Sequence, residues 1–345
     1  MARVENRNWA APSRAGVVMK RRDFIKVIGG TAVAWPLAAR AQQRAKVAHI
    51  GYLGLVSASW HTPRVTAFRA GLRDLGYAEG KDIVIEFRWA EGRYDQLPAL
   101  AAELVGLNVD VIVTHTVPGA IAAKQATSTI PIVITAASDL LAFGLVEGLA
   151  RPGGNLTGLS FFNAELVAKR LELLKELAPS MAKAAVLLNA DNSAGNQLIL
   201  RELEPTAKAL KVELLTFEAR GPGDFEGVFE AMISQQIGAA VLHEDPMLNA
   251  NSKAIVDILA RHQLLACGFP EFAAAGGLMA YGVDLPEMDR RAAVFVDKIL
   301  KGAKPADLPV ERATKFTMIV NLRTARAMGI DMPTSILLRA DEVIE

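Results

Sequence analysis

The chain has 345 residues, 38 basic and 37 acidic side chains, a formal net charge of +1 and 51% hydrophobic residues. This balance gives no excess of positive charge that would favour nucleic acid as a partner. Cys267 is the single cysteine, so an internal disulfide is excluded and stability has to come from core burial.

Residues 1–41 are predicted to be a leader. A basic segment at 20–26 contains Arg21-Arg22 and precedes an apolar run at 27–37, which ends just before Ala39-Arg40-Ala41. The run has about 11 residues, too few for the ~20 that cross a bilayer, and the order is typical of a cleaved signal peptide. The paired arginines resemble a twin-arginine export signal. We therefore predict a true start at Met19, cleavage after Ala41 and a periplasmic mature protein; an ordinary basic amphipathic N-terminus is the alternative.

After the leader, strand and helix patterns alternate. Four short β-branched runs predict strands, at 47–53, 83–88, 109–114 and 132–135. Three amphipathic segments between them predict helices, at 64–75, 94–106 and 119–126. This alternation calls for a parallel sheet that is covered by helices on both faces.

The pattern restarts after a turn-rich segment at 151–158. Four further helices are predicted, at 164–177, 196–210, 224–235 and 251–262. Four further strands are predicted, at 184–188, 212–217, 239–243 and 265–268. The sequence therefore predicts a second α/β unit of similar length.

Three segments are expected to cross between the units, at 159–162, 279–283 and 316–321. The predicted fold class is α/β, with two doubly wound parallel-sheet lobes joined by three crossing segments and a ligand cleft between them. Lobe 1 would comprise 44–158 plus 283–315, and lobe 2 would comprise 159–282 plus 316–345. Open α/β sheets bind ligands beyond the carboxyl ends of their strands, and domain interfaces are preferred small-molecule sites.

Four ordered segments carry a family resemblance, at 126–133, 144–158, 276–282 and 298–311. Together they resemble the tryptophan-binding-like family of ABC-transporter substrate-binding proteins, which have the type I periplasmic binding protein fold. The resemblance implies an extracytoplasmic receptor that binds a small polar or aromatic molecule, such as an amino acid or an aromatic carboxylate. It also implies an ABC permease in the inner membrane as partner, and no catalytic residues. We expect a monomer without a cofactor or metal.

Loops at the carboxyl edge of the first predicted sheet offer candidate ligand-binding residues: Ser57, Ser59, Trp60, His115, Thr116, Ser138 and Asp139. Hydroxyls and N–H groups at a helix start suit a carboxylate, and an indole ring suits aromatic stacking. An ionised aspartate would orient an amine or a hydroxyl. The alternatives are an N-cap serine, a surface tryptophan, a loop histidine and a capping aspartate.

The second unit and the crossings offer the other candidates: Phe161, Asn189, Asp245 and Tyr281. The two aromatic residues lie on crossings, where the alternative is hinge packing. His243-Glu244-Asp245 superficially suggests metal ligands, but consecutive strand residues point to opposite faces of a sheet. We therefore do not predict a metal site at these three residues.

Motifs of common catalytic sites do not occur in the sequence. There is no Gly-x-Ser-x-Gly elbow, no Gly-x-x-x-x-Gly-Lys-[Ser/Thr] phosphate loop and no His-Glu-x-x-His helix. A transport receptor is therefore the leading hypothesis. A ligand-sensing receptor domain and an α/β enzyme with a two-lobed cleft are the alternatives.

Overall fold

The computed structural model describes residues 47–345, so the predicted leader, including Met19, Arg21-Arg22 and the cleavage site after Ala41, lies outside the described residues. The first part of the described chain runs β1 (Ala48–Gly54), α1 (Ala58–Asp74), β2 (Ile83–Trp89), α2 (Leu97–Gly106), β3 (Val111–Thr114), α3 (Val117–Ala126), β4 (Ile132–Ala137) and β5 (Leu156–Ser160). A single 3-10 turn at Tyr94–Gln96 leads into α2.

The chain continues through α4 (Asn163–Leu177), β6 (Lys183–Asn189), α5 (Ser193–Ala209), β7 (Glu213–Ala219), α6 (Pro222–Ser234), β8 (Ala239–Leu242), α7 (Pro246–Ala250) and α8 (Ser252–His262). It ends with β9 (Leu265–Gly268), α9 (Pro270–Ala274), β10 (Met279–Val283), α10 (Leu285–Leu300), β11 (Glu311–Arg312), β12 (Phe316–Asn321), α11 (Leu322–Ala327), α12 (Thr334–Leu337) and β13 (Glu342–Ile344). A second 3-10 turn lies at Pro305–Asp307.

Two sheets organise the described chain. The first has six strands in the order β11-β5-β4-β3-β1-β2, and every neighbouring pair is parallel. The second has seven strands in the order β13-β12-β10-β9-β8-β6-β7. Only the β10–β12 pair of the second sheet is antiparallel. The predicted fold class, two parallel-sheet lobes of an α/β protein, is confirmed.

The central strands are buried on both faces, which explains their continuous apolar runs. All four residues of β3 and all six of β4 are buried. Helices on both faces of a parallel sheet leave its middle strands no contact with water, so such strands favour Val and Ile without alternation. Each sheet therefore has a hydrophobic core on both of its faces. The central strands were predicted accurately because burial on both faces gives them the continuous apolar runs by which such strands are recognised in a sequence.

Helix α1 is longer than the sequence predicts. It begins at Ala58 because the Ser57 hydroxyl accepts a hydrogen bond from the Trp60 N–H at 3.4 Å, as an N-cap residue does. It ends where Gly76, at φ +93°, donates to the Arg73 carbonyl and Tyr77 donates to the Leu72 carbonyl. This pair of bonds is a Schellman motif, and glycine adopts its left-handed backbone without strain.

The chain passes between the two sheets after β5, after β10 and after β11. The crossings are continuous with strands of the sheets and are not separate linkers. After the second passage, α10 packs against α1 on the face of the first sheet. Sequence patterns did not predict this helix, although its contact with α1 helps to position the site described below.

Candidate functional site

A cavity lies between the carboxyl ends of the two sheets. Its walls come from the loops after β3 and β4 of the first sheet, from the loop after β8 of the second sheet, and from α1, α4 and α5. The space between the walls, counted out to the open mouth, is about 690 Å³. The cavity lies at the edge of the sheets and between two α/β units, which is where small-molecule sites preferentially occur.

Arg64, on α1, is a buried cation in the cavity wall. Its Nε donates to Asp289 Oδ2 at 2.5 Å, and Nη2 donates to Asp289 Oδ1 and Thr135 Oγ1, each at 3.3 Å. Burial by itself would lower the pKa of Arg64, but the adjacent Asp289 carboxylate, together with Tyr52 and Glu271, outweighs burial and raises the pKa. These bonds use Nε and Nη2, so Nη1 remains as a charged donor.

His115, in the loop after β3, presents a second donor. Its Nε2 accepts a hydrogen bond from the Leu55 N–H at 3.1 Å, which places the ring proton on Nδ1. Nδ1 is buried and has no partner among the described residues. Burial, together with His61 and Arg64, lowers the pKa of His115 well below its ordinary value. His115 is therefore a neutral imidazole with an unused N–H.

Thr116 holds an unusual backbone conformation beside His115. Its φ of +69° is in the region that favours glycine, and its hydroxyl accepts from the Gly119 N–H at 3.3 Å at the start of α3. Such conformations cost ~1–3 kcal/mol and concentrate at ligand-binding loops. We call Arg64, His115 and Thr116 the donor wall of the cavity.

Glu244 faces this wall from the second sheet. Its Oε1 accepts from Arg170 Nη2 at 2.5 Å, while its buried Oε2 has no partner among the described residues. Arg170 is fully buried and also donates to the carbonyls of Leu242 and Tyr281. The Asn163 amide fixes the Glu244 backbone by donating to its carbonyl at 2.9 Å. One carboxylate oxygen is thus firmly held and the other is available.

Asp245 follows Glu244 and is fully buried. Its Oδ1 accepts from Asn189 Nδ2 and from the Met247 N–H, both at 2.9 Å. Its Oδ2 accepts from Asn192 Nδ2 at 3.2 Å and from the Tyr94 hydroxyl at 3.4 Å. Tyr94 precedes α2 on the side of the first sheet, so this bond joins the two sides of the cavity directly. Burial and then Asp245 raise the pKa of Tyr94, which keeps its hydroxyl protonated.

Asn249 lines the same wall from α7, and its buried Oδ1 has no partner among the described residues. We call Glu244, Asp245 and Asn249 the acceptor wall. The rest of the lining is mainly apolar and includes Trp60, Phe143, Phe161, Ile199 and Leu285. The cavity therefore combines a donor wall, an acceptor wall and a lining that is otherwise mainly apolar and partly aromatic.

An aromatic cluster supports the donor wall from behind. The His61 ring lies 4.3 Å from the His115 ring, 5.0 Å from Trp60 and 4.9 Å from Trp89, between ring centroids. Burial, and then the nearby Arg64, lower the pKa of His61 to about 2. The cluster is therefore neutral and closely packed, which restricts movement of His115.

Several sequence-predicted residues line the cavity: Trp60, His115, Thr116, Ser138, Phe161 and Asp245. The other candidates do not lie among its lining residues: Ser57, Ser59, Asp139, Asn189 and Tyr281. Ser57 caps α1, and its hydroxyl lies 2.9 Å from that of Ser59. Asp139 accepts from the N–H groups of Leu141 and Ala142, each at 3.1 Å.

The two remaining candidates contact the site indirectly. Asn189 donates to Asp245 and to the Tyr94 hydroxyl. The Tyr281 carbonyl accepts from Arg170, and its ring stacks on Phe316 with centroids 6.0 Å apart. Direct contact of any of the eleven predicted residues with a ligand stays a prediction.

The sequence-predicted candidates leave out six polar lining residues: Arg64, Tyr94, Asn163, Asn192, Glu244 and Asn249. A signal existed for Arg64, because it precedes Phe68 and Leu72 at four-residue spacing on the buried stripe of α1. A cation on such a stripe needs a partner or a ligand. Within residues 47–345, no group of three or more His, Cys, Asp or Glu side chains could hold a metal ion.

Two predominantly parallel sheets with a cavity between their carboxyl ends have the architecture of the type I periplasmic binding protein fold. The model of the family described as ABC transporter substrate binding protein matches residues 50–344, and the chain belongs to this family. The resemblance stated from the sequence is thereby confirmed. Substrate-binding proteins of ABC importers bind solutes and act outside the cytoplasmic membrane.

Individual relatives agree with this assignment. A tyrosine-binding protein of Clostridioides difficile (strain R20291) is 25% identical over 264 residues, which cover 76% of this chain and 75% of the relative. An ABC domain from Streptococcus pneumonia, solved in complex with L-Trp, has a TM-score of 0.80 at 25% identity and covers 87% of this chain and 100% of its own. A conserved domain protein from Vibrio cholerae gives 0.80 at 26% identity, over 86% and 100%.

None of the helices of residues 47–345 is both long and apolar enough to span a membrane.

Proposed function

We propose that the protein is a receptor for an amino acid with an aromatic side chain. The observation that carries this proposal is the opposite polarity of the two cavity walls. The donor wall offers Arg64 Nη1, the His115 Nδ1–H and the Thr116 hydroxyl. The acceptor wall offers the unpartnered Glu244 Oε2. An α-amino acid has an anionic acceptor and a cationic donor on the same α-carbon, so it can engage both walls at once.

In this arrangement the donor wall binds the ligand carboxylate and Glu244 binds the ammonium group. Charge-assisted hydrogen bonds of this kind are about twice as strong as neutral ones. Asp245 is already engaged by Asn189, Asn192 and Tyr94, so its role is to orient the wall and to connect it to the first sheet. Ser138, which also lines the cavity, is a further candidate for the carboxylate.

The side chain of the ligand would lie against Trp60, Phe143 or Phe161, which line the cavity. Aromatic rings in contact contribute beyond their area burial, by ~0.5–1.5 kcal/mol per pair. The relatives support the same ligand class, since one is named a tyrosine-binding protein and another was solved with L-Trp. An aromatic carboxylate without an amine would use the donor wall alone and would leave Glu244 Oε2 unsatisfied.

We further propose that the protein works as a periplasmic monomer that delivers its ligand to an ABC permease in the inner membrane and performs no chemistry on it. The proposed export signal with Arg21-Arg22 and cleavage after Ala41 would place it there. The two ligand-binding lobes would be 44–158 plus 283–315 and 159–282 plus 316–345. The membership of the strands in two sheets supports this division.

The test is a thermal-shift and calorimetric screen of the purified mature chain against the amino acids and against matched aromatic acids without an amine. A specific ligand at a hundredfold excess over its Kd adds about 2.7 kcal/mol to the free energy of unfolding. We expect a response to one or more aromatic amino acids and a much weaker response to the desamino acids. Equal binding of both ligand classes would refute the zwitterion assignment.

A further inference from the structure

Asn249 is a cavity residue that amino-acid binding at the two walls does not use. Its backbone N–H donates to the Asp245 carbonyl at 2.8 Å, and its carbonyl accepts from the Ser252 hydroxyl at 2.7 Å. The residue is only 4% exposed, and its Oδ1 is buried without a partner among residues 47–345. The main chain is therefore fixed at both groups, while the side-chain oxygen remains unsatisfied.

The other asparagines that line the cavity are engaged. Asn163 Nδ2 donates to the Glu244 carbonyl at 2.9 Å, and Asn192 Nδ2 donates to Asp245 Oδ2 at 3.2 Å. Buried polar atoms in proteins are nearly always hydrogen-bonded, to protein, water or ligand. Since Asn249 belongs to the cavity lining, a ligand group is well placed to satisfy its oxygen.

The position of Asn249 suggests which part of the ligand it meets. It follows Asp245 by four residues, and its N–H···O bond to Asp245 closes one helical turn. Asp245 is the N-cap residue of α7, and Asn249 lies in the single helical turn that follows it. Asn249 is therefore about one turn away from the acidic pair Glu244 and Asp245. In the proposed arrangement the ammonium group is bound at Glu244 and the carboxylate at the donor wall, so the part of the ligand that remains for Asn249 is its side chain.

We infer that Asn249 Oδ1 accepts a hydrogen bond from a donor on the ligand ring, and that the receptor selects aromatic amino acids with a phenol O–H or an indole N–H over phenylalanine. This inference rests on the proposed function, because it requires the ammonium group to be bound at Glu244. A ring without a donor would fill the same space and leave the buried oxygen unpaired. Sites that hydrogen-bond a ligand group discriminate strongly against the analogue that lacks it.

The test compares matched ligands by calorimetry on the mature protein. L-Tyr is paired with L-Phe, and L-Trp is paired with 1-methyl-L-tryptophan, which lacks the indole N–H. In the wild type we expect the donor-bearing member of at least one pair to bind about tenfold or more tightly, which corresponds to about 1.4 kcal/mol. Asn249→Leu should reduce this ratio to within about twofold through loss of affinity for the donor-bearing ligand, because the apolar side chain removes the acceptor.

The matched control is Asn251→Leu, which changes the asparagine that ends the same short helix but does not line the cavity. It should leave the ligand ratio at the wild-type value. If Asn249→Leu fails to fold, Asn249→Ala and the wild-type ligand ratios provide the same test. Equal affinities within both pairs in the wild type, or an unchanged ratio in Asn249→Leu, would overturn the inference. If the wild type binds none of the four amino acids, the proposed function itself fails.

Discussion

The substitution Glu244→Gln separates the ammonium-binding role of Glu244 from its role in the fold. Glutamine keeps the size of the side chain and an oxygen that can accept from Arg170. It removes the negative charge and replaces one carboxylate oxygen with an NH₂ group, which repels an ammonium group. The observed geometry, with Oε1 held by Arg170 at 2.5 Å and Oε2 unpartnered, predicts that binding suffers more than local structure does.

The expected loss follows from the kind of bond that is removed. A hydrogen bond to a charged group contributes ~1.5–3 kcal/mol, so the Kd of an amino-acid ligand should rise by about ten- to 150-fold. Stability should fall as well, because Arg170 is fully buried and loses its counterion. Removal of one partner of a buried ion pair typically costs ~3–5 kcal/mol, and the retained amide oxygen should keep the loss at or below the lower end.

Calorimetry with an aromatic amino acid and with its desamino analogue distinguishes the two effects. We expect Glu244→Gln to weaken the amino acid strongly and to leave the weaker binding of the desamino acid nearly unchanged. Asp139→Asn is the control, because Asp139 is an acid near the first sheet that caps a turn outside the cavity lining. An equal loss for both ligands, or a larger loss in Asp139→Asn, would refute the assignment of the ammonium group to Glu244.

Three further predictions concern export, closure and pH. Replacement of Arg21-Arg22 by two lysines should block export of the protein. Cell fractionation with N-terminal sequencing should find wild-type periplasmic protein that begins at Gln42. Normal export of the variant would exclude the twin-arginine route. Tyr94→Phe should weaken ligand binding about three- to tenfold, because it removes the hydroxyl that donates to the Asp245 carboxylate and accepts from Asn189 Nδ2 across the cavity. Small-angle scattering should then show a smaller decrease in radius of gyration than in wild type at a fixed subsaturating ligand concentration. The pKa of His61 is about 2 in the folded state and ~6.5 in the unfolded state, so the contribution of this residue to the free energy of unfolding is complete above about pH 6.5 and falls on acidification by ~1.4 kcal/mol per pH unit. In urea unfolding between about pH 6 and pH 4, His61→Phe should remove that slope. An unchanged slope would contradict the neutral state of the buried ring.

The sequence predicts the sheets well because local pattern and tertiary environment agree in them. Val111, Ile112 and Val113 are fully buried in β3, and a continuous apolar run is the pattern that a central parallel strand requires. Short elements with little periodicity were harder to predict. The two-residue strand β11, for example, pairs with β5 from far away in the chain and has no pattern of its own.

The candidate site was predictable only where topology dictates position. His115 and Thr116 follow β3, and the rule that parallel strands present their carboxyl ends at one edge places them at the cavity. Glu244 is different, because its importance depends on Arg170, 74 residues earlier in the chain, which satisfies one carboxylate oxygen and not the other. Likewise, Asp289 holds Arg64 from 225 residues away. Such pairings depend on three-dimensional packing that no local spacing encodes.

The strength of the Tyr94–Asp245 bond affects how much ATP a transporter would hydrolyse for each solute molecule that it imports. The bond joins protein atoms only, so it stabilises any arrangement in which these two sides of the cavity meet, whether or not a solute is bound. A strong bond of this type would close a large fraction of the receptor molecules without a bound solute. A permease that responds to the closed form would then hydrolyse ATP without importing a solute. At 3.4 Å the bond is long, and the three- to tenfold effect expected of Tyr94→Phe corresponds to only ~0.7–1.4 kcal/mol, so the equilibrium between open and closed forms depends chiefly on the solute. A shorter bond at this position would raise apparent affinity and, at the same time, the rate of futile cycles.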